Sequence, residues 1–184
     1  MVLEPRGREV LALVGSYEGV AGGLDRATQT HRQPGSTFKM LTYAAGLDMG
    51  LATIDDAVDC EHGRWQPASG RPVRDMEGHG LGVVKFEEAF AKSSNVAAAK
   101  LGLRMSSADF IGYMKRFGFL QRSGVMYTSR TNWGGEHPGG IPEPNRMNVE
   151  RHGRMCYGYG LYATPLQTAM AAAAIANDGV LMKP

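Results

Sequence analysis

The chain has 184 residues, 43% of them hydrophobic and 21% charged, with a formal net charge of +2; that is the size and balance of one globular domain or of a piece of a larger protein. So mild a charge, with no basic run and no basic-aromatic interleaving, leaves no footprint for nucleic acid. No apolar run reaches the about 18 to 20 residues that cross a bilayer, and the N-terminus lacks a basic-then-apolar leader.

In chain order, "MVLEPRGREVLALV" reads as two strands joined at Pro5-Arg6-Gly7, a β-hairpin spanning residues 1–17. The Gly-rich, mixed-polarity "YEGVAGGLDRATQTHRQ" is loop. From Ser36 to Met49 the apolar residues 38, 41, 45 and 49 keep a helical period, and Gly50 stops the helix, giving an element at 35–49. Residues 59–84 are rich in glycine and proline and predict turns with short strand pieces. "KFEEAFAK" and "VAAAKLGLRM" are helical in period and are separated by a polar break at Ser93-Ser94-Asn95. "SSADFIGYMKRFG" predicts a helix capped by Ser106, with Asp109 in its first turn and Gly118 as its stop. Residues 120–153 predict a long loop, of the kind that in a compact domain carries function or lacks order. "TPLQTAMAAAAIANDG" predicts a helix over 164–178, with Thr164 as N-cap, Pro165 at the first helical position and Gly179 beyond the end. "VLMKP" then reads as the start of a strand.

The two cysteines, Cys60 and Cys156, have no metal spacing. They could pair in an oxidising compartment, but two buried thiols is the simpler reading. The five histidines show no H-x-x-x-H or H-E-x-x-H spacing, so a zinc enzyme is not expected. The hairpin, the helical and loop region over 50–160 and the returning helix make an α+β fold whose sheet looks incomplete.

Two polar features stand out. Ser36 and Lys39 lie at i and i+3 at the start of a helix, just after Pro34-Gly35, so the amine can reach the hydroxyl. A serine hydroxyl is a weak nucleophile and needs a base. Lysine serves only if desolvation or a second cation brings it down from its reference pKa of about 10.4. Alone, S-x-x-K arises about once by chance in a chain of this length, and a capping serine beside a solvated lysine explains it. Ser93-Ser94-Asn95 could present a hydroxyl and an amide to one cleft, or simply cap a helix.

Together, S-x-x-K followed by S-x-N matches the order seen in penicillin-binding proteins and serine β-lactamases. The chain resembles the transpeptidase domain of penicillin-binding proteins, closest to the monofunctional class B enzymes. The likeness runs through "LEPRGREVLALV", "RQPGSTFK", "VDCEHGRW", "GRPVRD", "FAKSSNVAAAKLG", "MKRFGF", "GGEHPGGIP" and "YGYGLYATPLQTAMAAAAIANDGV", in the family's order. "RATQTHRQPG" also has the look of the bifunctional class A enzymes.

The resemblance implies the β-lactamase/transpeptidase-like α+β fold: an antiparallel-sheet hairpin and a mainly helical subdomain. It implies that Ser36 attacks the penultimate D-alanine of a peptidoglycan stem peptide, with Lys39 as general base, Ser93 as proton relay and Asn95 positioning substrate and Lys39. β-Lactams would acylate Ser36 in the same way, and the resemblance implies no metal and no cofactor. The implied place of action is the outer face of the bacterial cytoplasmic membrane, with cell-division or elongation proteins as partners of the full-length protein.

The family's third motif, Lys-Thr/Ser-Gly, is not found after the "TPLQ" helix, so the chain is expected to be a fragment ending before the last sheet strands. Arg122-Ser123-Gly124 resembles that motif but precedes the helix, and it matches the family's "FGF…TG" segment better. Two alternatives remain at this point. One is a penicillin-sensing module that is acylated without turnover. The other is a β-lactamase, although Glu143 with Asn145 and Asn148 does not fit the Glu-x-x-x-Asn spacing of class A members. Trp65 and Trp133, in glycine-rich loops, are expected to serve packing.

Overall fold

The computed structural model describes residues 1–7, 9–17, 23–76, 80–125, 135–142 and 144–182. Trp133, Glu143 and Lys183-Pro184 lie outside the described residues. Among the described residues the fold is α+β, with six α-helices and three two-stranded antiparallel ribbons. The chain divides into two compact units, one of Met1–Pro34, Met114–Pro142 and Leu161–Pro184, the other of Gly35–Tyr113 and Glu143–Gly160.

In the first unit, β1 (Val2–Leu3) pairs antiparallel with β2 (Val10–Ala12) across the Pro5-Arg6-Gly7 turn, as the sequence predicts. Val2 faces Ala12 and Leu3 faces Val10, with an irregularity in register between the two pairs. A lone hairpin is marginal in water. Here helix α6 (Pro165–Ala176) packs against β1 and buries Leu166, Met170, Ala171 and Ala174.

The start of α6 is tightly specified. Thr164 Oγ1 accepts from Gln167 N at 3.1 Å and Gln167 Oε1 accepts from Thr164 N at 2.9 Å, a reciprocal capping box with Pro165 at the first position. Gln167 Nε2 also donates to the carbonyls of Gln121 and Pro138, both at 2.8 Å. One buried side chain thus caps the helix and holds two loop segments. Gln167→Leu is expected to lower stability by about 3 kcal/mol, near 1 for the cap and 1 for each tertiary bond. Urea unfolding followed by circular dichroism measures this, and a loss no larger than a single cap would show the loop bonds to be idle.

Glu136, also buried, closes the same unit. Its carboxylate accepts from Ser123 N at 2.6 Å and Gly124 N at 3.0 Å, and Arg122 Nε donates to its backbone carbonyl at 3.0 Å. The N–H groups of Ser123 and Gly124 are therefore held by Glu136. Val180–Met182 form no strand, unlike the expectation for that stretch.

The second unit holds α1 (Lys39–Asp48), α2 (Phe86–Ala91), α3 (Asn95–Gly102), most of α4 (Ser107–Arg116) and α5 (Val149–Met155). Two ribbons flank them: β3 (Ala57–Asp59) with β6 (Val83–Lys85), and β4 (Arg64–Trp65) with β5 (Val73–Arg74). A helix apolar over most of its surface must be largely interior. That describes α3, whose Val96, Ala97, Ala98, Ala99 and Leu101 are all fully buried, while Lys100 reaches out to pair with Glu61. Its alanines allow close packing against α1, and the core continues through Tyr43, Val58, Cys60, Phe86 and Ala89. Trp65 packs with Val73, Val96 and Ala99, in line with the expected packing role. Cys60 and Cys156 are both buried free thiols, and burial raises the pKa of each.

Two local readings change. The helix predicted from Ser36 opens instead as a 3-10 turn, Gly35–Phe38, with α-helix only from Lys39. Tighter winding at a helix start is common, and it leaves α1 with no side-chain cap. Second, the predicted loop over 120–153 contains α5. Asn148 caps it by accepting from Arg151 N at 2.9 Å, so Asn148 has a structural task. Within Ser93-Ser94-Asn95, which the sequence offers as a cap or a cleft feature, Ser94 is the residue that caps α3, accepting from Ala97 N at 3.1 Å.

Candidate active site

Lys39 begins α1 with its side chain only 2% exposed, three residues after the exposed Ser36. Its Nζ donates to Ser36 Oγ at 3.2 Å and to Ser93 Oγ at 2.9 Å, and also to the Ser93 carbonyl. The first contact follows from the i, i+3 spacing. The other two come from the break between α2 and α3, where Ser93 takes the left-handed backbone at φ 57°. For an L residue that conformation costs about 1–2 kcal/mol. It lets one residue offer both its hydroxyl and its carbonyl to the same amine.

Burial dominates the electrostatics of Lys39. Desolvation pulls its pKa down to about 8, while the negative charge of Asp75 acts in the opposite direction. At pH 7 roughly a tenth of the amines are then neutral, against less than about a thousandth for a solvated lysine. A neutral Nζ at this distance can accept the Ser36 proton, and Ser93 Oγ is placed to exchange a proton with the same nitrogen.

Of the four residues singled out from the sequence, Ser36, Lys39 and Ser93 converge. Asn95 does so only in part. It is the first residue of α3, but its Nδ2 donates to the Arg74 carbonyl at 2.6 Å rather than to Lys39. Sequence reasoning did not single out Asp75 as a site residue. Its carboxylate accepts from Ser94 Oγ at 2.9 Å, Asn95 N at 2.6 Å and Val96 N at 3.0 Å. The one available signal was an acidic residue following a short strand piece inside a Gly/Pro-rich stretch.

The turn that carries Ser36 is fixed by a backbone-to-backbone contact. Gly35 N donates to Gly158 O at 3.1 Å, and both glycines have positive φ, 58° and 85°. A Cβ on Gly158 would lie 1.9 Å from the Gly35 carbonyl oxygen, so the turn would have to move. Gly158→Ala is expected to cost about 2–4 kcal/mol, combining left-handed strain with overpacking. The urea midpoint measures it, and a variant as stable as the wild type would mean that the Ser36 turn is not held there.

The family model for the penicillin binding protein transpeptidase domain matches residues 1–184. Penicillin-binding protein PbpB of Mycolicibacterium smegmatis is 31% identical over 156 residues, 83% of this chain and 22% of that protein. The probable peptidoglycan D,D-transpeptidase PenA of Neisseria gonorrhoeae is 28% identical over 191 residues, 99% of this chain and 31% of that protein. The transpeptidase domain of Burkholderia pseudomallei penicillin-binding protein 3 superposes with a TM-score of 0.76 at 27% identity, over 86% of this chain and 45% of that one. The chain thus spans between a fifth and a third of these two curated relatives.

Proposed function

Because the chain belongs to the penicillin-binding protein transpeptidase domain family, we propose that it performs serine-type D,D-transpeptidation on peptidoglycan, with Ser36 as nucleophile and Lys39 as general base. The observation that carries this is the buried Lys39 amine, pulled down to about 8 and hydrogen-bonded to both Ser36 Oγ and Ser93 Oγ. On this reading residues 1–184 are transpeptidase-domain sequence, with the nucleophile on the element at 35–49.

Ser36 Oγ attacks the carbonyl of the penultimate D-alanine of a stem peptide as its proton passes to Lys39 Nζ. The tetrahedral intermediate collapses, the C–N bond breaks, and the departing D-alanine amine receives the proton through Ser93 Oγ. The peptide is left as an ester on Ser36. An amine of a neighbouring stem attacks that ester, gives up a proton by the reverse route and frees Ser36, closing the cross-link. Splitting one amide exchange into two acyl transfers is what a covalent nucleophile achieves. A β-lactam enters the first half of the cycle, its ring amide opening onto Ser36. Asn95 would meet the substrate from the start of α3.

Stem peptides ending in D-Ala-D-Ala place the work on the outer face of the bacterial cytoplasmic membrane, beside cell-division or elongation proteins. Among the described residues no helix is long and apolar enough to cross a membrane.

The test is intact mass after incubation with benzylpenicillin, followed by turnover with a lipid-linked stem-peptide donor. One adduct of the drug's mass together with cross-linked product is expected. An adduct without cross-linking would instead identify an acylatable sensing module, and fast hydrolysis of nitrocefin would identify a β-lactamase. A folded chain with no adduct would sink the acyl-transfer reading.

A further inference from the structure

Asp75 is the residue through which β5 grips the start of α3. The grip is four hydrogen bonds on adjacent residues. Asp75 Oδ2 accepts from Ser94 Oγ at 2.9 Å, and Asp75 Oδ1 accepts from Asn95 N at 2.6 Å and Val96 N at 3.0 Å. Immediately before it, the Arg74 carbonyl accepts from Asn95 Nδ2 at 2.6 Å. Asp75 itself is tied down by its own N–H, which donates to Gly63 O at 2.9 Å. An acceptor bonded to the first N–H groups of a helix, with its charge at the positive helix end, fixes where that helix begins. Here the fixed point is the residue just after Ser93, whose left-handed backbone aims its carbonyl and hydroxyl at Lys39.

We propose that Asp75 is a positioning residue for the acyl-transfer site: its carboxylate locks the start of α3 so that Ser93 meets Lys39 with both oxygens. The proposal rests on the reading of Lys39 as the base for Ser36. The carboxylate also acts as a charge. As a clamp, Asp75 preserves the geometry of proton transfer. As a charge, it favours the ammonium and holds Lys39 above the value that burial alone would set.

Among the described residues, Asp75 is the charge that acts on Lys39. Tyr43, one turn along α1, and Cys60, beyond the end of β3, also feel Asp75. Burial raises the pKa of both, so they stay neutral and add no charge near pH 7. Asp59 and Lys100 act on Cys60 rather than on Lys39.

The experiment follows the Lys39 side chain directly in the full 184-residue chain. The protein is labelled with 13Cε-lysine, and the Lys39 signal is assigned by its loss in Lys39→Arg. Its pH titration is compared between wild type, Asp75→Asn and Asp75→Ser, the serine being a second neutral residue that can still accept from helix N–H groups. The Lys39 midpoint is expected to fall by on the order of 1 pH unit in both variants, the usual effect of losing one nearby opposite charge. The acid limb of the penicillin acylation profile is expected to move the same way, with a limiting rate at high pH reduced roughly tenfold as the Ser93 geometry loosens.

A purely structural cap would lower the melting temperature and leave the midpoint where it is. A wild-type midpoint together with a wild-type limiting acylation rate in either folded variant overturns the proposal. If the wild-type chain forms no penicillin adduct, the acyl-transfer reading falls, and the lysine titration alone still decides whether Asp75 controls Lys39.

Discussion

Ser36→Ala is expected to abolish the penicillin adduct and to lower any transpeptidation by roughly 10⁴- to 10⁶-fold, the range seen when a catalytic serine is removed. The size follows from the chemistry. Without the hydroxyl no ester forms, and water or an amine must attack the stem peptide directly in one difficult step. The fold should hardly notice. Ser36 is exposed and caps no helix, so stability is expected to change by no more than about 0.5 kcal/mol. Intact mass and a urea melt on the same sample separate the two effects. An adduct of equal stoichiometry in the variant would move the nucleophile elsewhere.

Lys39→Met should combine a large loss with a gain. Acylation is expected to fall by about 10² to 10⁴, the contribution of a positioned base. Stability at pH 7 is expected to rise. Lys39 has a folded pKa near 8 against a reference value of 10.5, so below pH 8 the folded state carries a desolvated ammonium that the unfolded chain hydrates. A shift of that size corresponds to about 3 kcal/mol. Against it stand the two hydrogen bonds to Ser93 that methionine cannot make, about 1 kcal/mol each, while the exposed Ser36 hydroxyl exchanges its bond for one to water. A net gain of about 1 kcal/mol is the expected result.

The sign of its pH dependence is fixed. Between pH 8 and 10.5 the unfolded lysine keeps its proton while the folded one has lost it, so wild-type stability gains with rising pH through that window. The advantage of the methionine variant should therefore shrink from pH 8 upward and reverse before pH 10.5. Taking the difference between the two proteins removes the opposing titration of Tyr43 and Cys60, whose raised values weaken the fold as pH climbs. A constant difference across the window would mean that Lys39 is not desolvated in the native state.

The parts of the site legible in the sequence are those written in local spacing. Ser36 and Lys39 are one helical turn apart, and Ser93 sits at a polar break between two apolar periods. The hairpin and α6 were equally readable, because turn residues, the capping threonine and the proline mark their ends. What stayed hidden depends on partners far along the chain. Nothing near Asp75 announces that its carboxylate will reach residues 94–96. Nothing near Gly158 announces the backbone of Gly35. The amide of Asn95 was expected at Lys39, but the Arg74 carbonyl, brought close by β5, holds its nitrogen. Helix α5 escaped notice because a glycine, a histidine and three charged residues occupy its seven positions, which blurs the apolar period.

The three acceptors around Lys39 Nζ also settle a question of valence. An ammonium has three N–H groups, and Ser36 Oγ, Ser93 Oγ and the Ser93 carbonyl match them one to one. A neutral amine has two N–H groups and a lone pair. The carbonyl can only accept, so one N–H must stay with it. The lone pair is then left to one of the two hydroxyls, and the remaining N–H to the other. Whichever hydroxyl donates to the lone pair, the other receives, and a one-third turn about the Cε–Nζ bond exchanges them while an N–H still meets the carbonyl. The single carbonyl of Ser93 thus acts as a stereochemical pin, turning a freely spinning amine into a two-position switch between the serines.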